Sequence, residues 1–280
     1  MGPDRQVTDR ELAPVPEEPL PVPAVDAHTH LDACGATTSE GVREMVDQAS
    51  QAGVTRVVTV ADDMDSARFV VQAAAWDPRV FAAVALHPTR TSTFGEDDRA
   101  ELEKLAADPR CVAIGETGLD YYWDYAPHDA QQEAFRWHID LAKRLGKPLM
   151  IHDRDAHADV LRILEEETPP EQVIFHCFSG DAEFARQCVD RGYTLSFAGT
   201  VTFKNAKPLR DAALVVPAEQ LLIETDAPFL TPHPMRGRVN RPYCLAYTAQ
   251  GLATLRNESV EELVTAATSN AERIFRLREV

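Results

Sequence analysis

From Ala24 onward the chain alternates between two hydrophobic rhythms. Short apolar runs recur at Ala24–His28, Val54–Ala61, Val80–Leu86, Cys111–Glu116, Lys147–His152, Gln172–His176, Tyr193–Ala198 and Leu221–Thr225. They are continuous rather than alternating, which is the pattern of strands covered on both faces. Between them, apolar residues fall at helical spacing over Ser39–Ala52, Asp65–Trp76, Asp97–Ala107, His128–Leu145, Ala156–Glu167 and Asp181–Arg191, and Tyr243–Leu255 and Glu258–Leu277 close the chain. Gly53, Gly146 and Gly192 stand just past three of these stretches, where a left-handed residue ends a helix. Strands alternating with helices in this way predict an α/β fold, a (β/α)8 TIM-type barrel. A doubly wound open sheet is the alternative, weakened by the lack of a GxGxxG or GxxxxGK[ST] phosphate loop.

Residues 1–23 break the rhythm. Pro3, Pro14, Pro16, Pro19, Pro21 and Pro23 are mixed there with charges. Proline fixes φ and lacks a backbone donor, so the expectation is a flexible tail over 1–23 ahead of one barrel domain over 24–280. With 280 residues, 44% of them apolar, the chain can bury a core of that size. The tail lacks the apolar core of a signal peptide, and no apolar run approaches the ~20 residues of a membrane span. The cysteines are odd in number and none forms a CxxC pair, which points away from a disulfide scaffold and from a thiolate zinc knot. A cytoplasmic, monomeric protein with no membrane partner is expected. Acids outnumber bases 45 to 28, and the net charge of −17 excludes a generally basic nucleic-acid-binding coat.

Candidate chemistry gathers at the ends of the predicted strands. Strand one runs into Asp26-Ala27-His28-Thr29-His30, strand four into Gly115-Glu116, strand five into Ile151-His152, strand six into Phe175-His176 and strand eight into Glu224-Thr225-Asp226. In a barrel these ends converge on one mouth. His28 and His30, two apart in an extended segment, point to one face and can grip one ion together. A lone histidine after an apolar run is usually a hydrogen-bonded core residue. A carboxylate such as Glu116 or Asp226 at a buried strand end, however, is costly unless it is paired or binds metal. His28, His30, Glu116, His152, His176 and Asp226 are therefore read as metal ligands. That set exceeds the three protein ligands of a usual catalytic zinc and suits two divalent ions with one carboxylate between them. Imidazole and carboxylate without thiolate fit Zn, Mn, Co or Ni, and Mg where water completes the shell.

The motifs, taken in order, resemble those of the TatD family of metal-dependent deoxyribonucleases, within the wider amidohydrolase-like barrels. The resemblance is carried by Val25-Asp26-Ala27-His28-Thr29-His30-Leu31-Asp32, Gly115-Glu116-Thr117-Gly118-Leu119-Asp120-Tyr121-Tyr122, Ile151-His152-Asp153-Arg154-Asp155-Ala156, His176-Cys177-Phe178-Ser179-Gly180 and Glu224-Thr225-Asp226-Ala227-Pro228-Phe229-Leu230. It runs from about residue 24 to residue 276. It implies a TIM-type barrel and a hydrolase that cuts DNA. It also implies one metal held by His28, His30, Glu116 and Asp226 and a second held by Glu116, His152 and His176, so that Glu116 bridges. The chain departs from the family pattern where Arg241 replaces a common acid and where Ala85 precedes Leu86-His87-Pro88 in place of the usual glycine.

On this reading the reaction is phosphodiester hydrolysis by a metal-activated water. Glu116 and Asp226 are the candidate catalytic groups, Asp226 orienting the water or accepting its proton. Arg154 is placed to hold a phosphate, the alternative being an ion pair with Asp153 or Asp155. Lys204, Arg236, Arg238 and Arg241 fall in loops after strands seven and eight, where barrel phosphate sites often form, or they are solvated surface charges. Tyr121, Tyr122 and Trp123 either stack unpaired bases or pack beneath a loop. A narrow mouth admits a strand end more easily than the side of a duplex, so the expected substrate is single-stranded DNA or a frayed duplex end, trimmed in the manner of an exonuclease. Two other readings stay open. One is a metal-dependent deacylase or amidohydrolase acting on a carbonyl, for example on aminoacyl-RNA, and the other is a non-catalytic metal-binding scaffold.

Overall fold

A computed structural model describes residues 10–277. Eight strands, β1 (Ala24–Thr29), β2 (Val54–Val60), β3 (Val80–Val84), β4 (Cys111–Asp120), β5 (Leu149–Arg154), β6 (Val173–Phe175), β7 (Thr194–Phe197) and β8 (Leu221–Ile223), pair in parallel in chain order. A parallel bridge between Thr29 and Ala227 joins β1 to the segment just past β8 and closes the barrel. The helices are α1 (Ser39–Gln51), α2 (Met64–Trp76), α3 (Glu96–Ala106), α4 (His128–Leu145), α5 (His157–Glu167), α6 (Ala182–Asp190), α7 (Lys207–Val215), α8 (Leu245–Arg256) and α9 (Val260–Phe275). This is the (β/α)8 barrel expected from the sequence, and the open-sheet alternative is excluded by the closure. No helix among the described residues is long and apolar enough to cross a membrane.

The strand period of two sorts the apolar residues into two cores. Val25, Ala27, Val58, Val60, Phe81, Ala83, Val112, Ala113, Met150, Ile174 and Leu222 fill the barrel, and Ala271, Ile274 and Phe275 of α9 cluster with them, with Leu277 just beyond. Their neighbours along the strands, such as Ala24, Val57, Val80, Ala82, Val84, Leu149, Ile151 and Leu195, face the helices instead. Most strand residues are buried on either face, so the strands read as nearly unbroken apolar runs.

Three expectations are corrected. Helix α7 was not foreseen. It is short, starts at Lys207-Pro208, and buries only Leu209, Ala212 and Ala213. Strand β4 continues past Glu116 to Asp120, since its polar residues are buried and paired with β5 out to Asp120 and Arg154. Of the segment expected as a flexible tail, Glu11–Ala13 and Leu20 are held against the barrel. Ala13 N donates to Val239 O at 2.9 Å and Val239 N to Glu11 O at 2.9 Å, so the segment adds a short ladder to the loop between β8 and α8. The Tyr243 hydroxyl donates to Ala13 O at 2.5 Å, and Leu20 N donates to Ala52 O at 3.0 Å. Ala13 and Leu20 are buried. The prolines do not prevent this docking, because so few backbone donors are needed. Residues 1–9, also assigned to the tail, lie outside the described residues.

His138 on α4 shows how helix and barrel are joined at the level of the strand ends. Its Nδ1 is 2.7 Å from Ala134 O, and its Nε2 accepts from Leu86 N at 3.3 Å, which fixes the Nδ1–H tautomer. Burial pushes its pKa down from 6.5 to about 3. The unfolded chain therefore binds a proton that the folded chain refuses between those values. This contribution to stability is full above pH 6.5 and is lost as pH falls toward 3.

Two outcomes follow from this packing. Leu20→Ala should lower stability by about 2 kcal/mol, read as a fall in Tm of roughly 4–8 °C, whereas an undocked segment would leave Tm unchanged. His138→Gln should flatten the acid limb of stability between pH 6.5 and 4 by up to about 1.4 kcal/mol per pH unit, measured by denaturant titration. An unaltered slope would show that His138 takes up its proton while folded.

Candidate metal centre

The C-terminal strand ends bring together all of His28, His30, Glu116, His152, His176 and Asp226. His28 lies in β1 and His30 one residue past it, and their Nε2 atoms are 3.2 Å apart. Asp226 follows β8, with Oδ1 3.7 Å from His28 Nε2 and 3.4 Å from His30 Nε2. Glu116 Oε1 is 3.8 Å and 3.7 Å from the same two nitrogens. The second carboxylate oxygen faces the other way. Glu116 Oε2 is 2.6 Å from His176 Nε2 and 3.2 Å from His152 Nδ1. His28, His30 and Glu116 thus form one group of donors able to hold a cation, and Glu116, His152 and His176 form another.

Two glycines make this approach possible. A Cβ on Gly115 would lie 2.5 Å from Met150 Cβ. Gly118, at φ +135°, would place a Cβ 2.1 Å from the carbonyl oxygen of His152. Any larger residue at either place would push β4 off β5 and part Glu116 from His152.

Each imidazole is also held from behind. His152 Nε2 is 2.9 Å from Asp120 Oδ2, and His176 Nδ1 is 3.2 Å from Glu224 Oε1, which also accepts from Cys177 N at 2.9 Å. His30 Nδ1 is 2.9 Å from Val60 O, and His28 Nδ1 is 3.1 Å from Met150 Sδ. His87 Nε2 approaches His152 Nδ1 at 3.3 Å. Asp26 ties β1 to β8, accepting from Thr225 N at 2.9 Å and from its hydroxyl at 2.5 Å. Asn240 then donates to Thr225 O at 2.8 Å and Phe229 O at 2.6 Å, locking the segment that carries Asp226.

Electrostatics match a cation-binding set. Burial, then the neighbouring His176, hold His28 well below the usual histidine range. Burial pushes the Glu116 carboxyl up, but His176, His87 and His152 together outweigh it and keep it ionised. For His30 and His176 burial acts downward, and the facing carboxylates, Asp62 for His30 and Glu116 for His176, overcome it and raise both. In such pairs a divalent cation and a proton compete for the same nitrogen.

The expected substrate residues divide. Arg154 ends β5 opposite Asp120, with its guanidinium carbon 3.8 Å from the centre of the Tyr122 ring, and it forms no ion pair among the described residues. Asp153, one of its expected partners, instead accepts from His157 at 2.7 Å. Arg236 lies over Phe203 at 3.8 Å. Arg238 turns away to the N-terminal segment, 3.3 Å from Glu11 Oε2 and 3.3 Å from Leu12 O. Arg241 donates to Asn240 O at 3.0 Å, and Lys204 is exposed with no carboxylate partner among the described residues. Reading the sequence did not single out Asp120, Met150 or Asn240, and gave Glu224 no role. The available signal for the two acids was a carboxylate inside or at the end of an otherwise buried strand.

The model of the family described as TatD related DNase matches residues 25–276. The chain belongs to this family. A Mycobacterium tuberculosis relative, named an uncharacterized metal-dependent hydrolase TatD, is 59% identical over 259 residues, covering 90% of this chain and 98% of its own. A Pantoea vagans relative named 3'-5' ssDNA/RNA exonuclease TatD is 34% identical over 242 residues, covering 84% and 93%. The crystal structure of the Escherichia coli TatD homolog YJJV superposes with a TM-score of 0.84 at 29% identity, over 90% of this chain and 98% of that one. The TatD-family frame spans the barrel, while the docked segment over 11–23 precedes the matched residues.

As a TatD-family metal-dependent hydrolase, the protein should depend on the groups that orient its imidazoles. Asp120→Asn and Glu224→Gln should each weaken cation affinity by roughly 10–100-fold, measured by calorimetric titration of metal-free protein with Mn or Zn. Unchanged affinity in both would show that the imidazoles are held by the fold alone.

Proposed function

We propose that the protein is a two-metal phosphodiesterase that trims DNA from single-stranded or frayed ends. The observation that carries this reading is the Glu116 carboxylate, with one oxygen turned to His28 and His30 and the other to His152 and His176. His28, His30, Glu116 and Asp226 would hold one divalent ion, and Glu116, His152 and His176 would hold the other. Zn, Mn, Co, Ni and Mg all suit these donors. Bound there, the ions supply Lewis acidity to the phosphoryl oxygens and bring the pKa of water toward neutrality.

The chain's own groups do the rest. Asp226, at the open side of the cluster, orients the attacking water and accepts its proton at a carboxylate oxygen. The water oxygen forms the new bond to phosphorus as the opposite P–O bond breaks, and the leaving sugar oxygen takes the proton that Asp226 accepted from the water. Arg154 presents N–H groups to the phosphate beside the one cut, and Arg236, Arg241 and Lys204, in the loops after β7 and β8, are the further cations offered to the strand. Arg238, drawn to Glu11, plays its part by fixing the loop. The Pantoea relative is named for action on single-stranded DNA and RNA, which supports an end of a single strand as the substrate and leaves both sugars open.

The test is incubation of metal-loaded protein with end-labelled single-stranded and duplex DNA, beside an aminoacyl ester. A ladder shortening from one end is expected, abolished by chelation and restored by a divalent ion. Glu116→Ala should lose both ions and all turnover. With −17 on the chain and few cations at the mouth, the salt dependence should be shallow, with a log–log slope of about −0.7 per phosphate contacted. Hydrolysis of the ester alone would assign a carbonyl substrate, and equal cutting of closed circular duplex would remove the preference for ends.

A further inference from the structure

We infer that Tyr122, Trp123 and Tyr125, with Arg154 laid against them, form a stacking shelf for an unpaired base of the strand next to the scissile phosphate. The inference rests on the phosphodiesterase reading and adds to it the group that the mouth recognises.

The loop after β4 separates its aromatic residues. Tyr121 turns inward, its ring stacked 3.8 Å from that of His128 and its hydroxyl donating to Asp159 at 2.7 Å. Tyr122 and Tyr125 stay out in solvent, 54% and 46% exposed, and few large apolar side chains among the described residues are so exposed. Trp123 sits between them, edge-on to Tyr122 at 4.9 Å and stacked on Tyr125 at 5.4 Å with 23° between the planes. Exposed rings that pack on one another lose little further freedom when a ligand arrives, so the gain from stacking is retained.

Arg154 makes the shelf specific. Its guanidinium carbon lies 3.8 Å from the Tyr122 centroid and 5.7 Å from that of Trp123. About half of the described arginines meet a carboxylate, Arg68, Arg79, Arg99, Arg136, Arg144 and Arg162 among them. Arg154 meets none among the described residues, and its side chain donates no hydrogen bond there. A guanidinium lying flat on a ring keeps its N–H edge free for a phosphate oxygen. A flat ring to stack and an anionic oxygen to bind, one unit apart, are the two faces of a nucleotide.

The shelf is also coupled to the metal donors. Asp120 Oδ1 accepts from Tyr122 N at 3.1 Å and Trp123 N at 3.0 Å, while its Oδ2 holds His152. One carboxylate therefore sets both the start of the aromatic loop and the orientation of an imidazole beside Glu116. A base on the shelf lies one side chain away from the reacting centre.

The experiment is a double-mutant cycle between ring and base. A fluorescein-labelled single strand is bound by the metal-loaded full chain, and anisotropy is measured with each of the terminal nucleotides in turn made abasic. Base–aromatic stacking of about 1–3 kcal/mol predicts that one abasic position weakens binding roughly 5–150-fold. Tyr122→Ala and Tyr125→Ala should bind the intact strand correspondingly more weakly and should no longer feel the missing base, and Tyr122→Phe should restore the discrimination. No binding, equal binding of intact and abasic strands by the native protein, or a Tyr122→Ala penalty that is the same for both strands overturns the shelf. Cleavage of the same strands is scored separately. Base discrimination without cleavage supports the shelf and removes the phosphodiesterase reading, and cleavage without base discrimination does the reverse.

Discussion

A single carboxylate, almost wholly withdrawn from solvent, governs the architecture of the mouth. Glu116 is almost fully buried, and a lone buried charge of that kind would cost several kcal/mol. It is tolerated because four imidazoles from β1, β5 and β6 or their ends surround it, and because the barrel closes those strands into one ring. The two glycines of β4 belong to the same requirement, since they let β4 press close enough to β5 for the carboxylate to reach both sides.

Rigidity follows from how the far side of each ring is occupied. Asp120, Glu224, the carbonyl of Val60 and the thioether of Met150 each take the nitrogen that points away from the cluster. The rings are therefore aimed before any cation arrives, and little reorganisation is left for the reaction itself. The acids that stand at the mouth face imidazoles, as Glu116, Asp120 and Glu224 do, whereas many acids of the outer helices are spent in ion pairs such as Arg68–Glu101 and Arg144–Asp140.

Much of this was legible along the chain. The strands announced themselves because most of their residues are buried on either face, and the donors because histidines and acids at strand ends have few structural uses. What stayed hidden has physical reasons. Helix α7 buries too few apolar positions to stand out from a loop. Asp120 lies in a strand whose residues are buried despite being polar, so no alternation marks it. The proline-rich segment gave a composition signal for disorder, yet Ala13 and Leu20 are buried and backbone hydrogen bonds hold it at Glu11, Ala13 and Leu20. Arg154 and Arg238 look alike in sequence. The segment over 11–13 draws Arg238 to Glu11 and Leu12, whereas Arg154, at the end of β5, lies against Tyr122. The site-level reading was legible to the extent that it used strand ends, and it failed where partners come from distant loops.

The docked segment has a further consequence, in the order of events during synthesis. Ala13 leaves the ribosome early, but Tyr243, whose hydroxyl it accepts from, is 230 positions further on. At ordinary elongation rates that interval is on the order of 10–50 s. Throughout it the segment has no docking site, because the β8–α8 loop does not yet exist and the barrel is still open between β1 and the strand to come. The seating of residues 11–13 therefore marks completion: it happens only on chains whose last strand has been made and whose ring has closed.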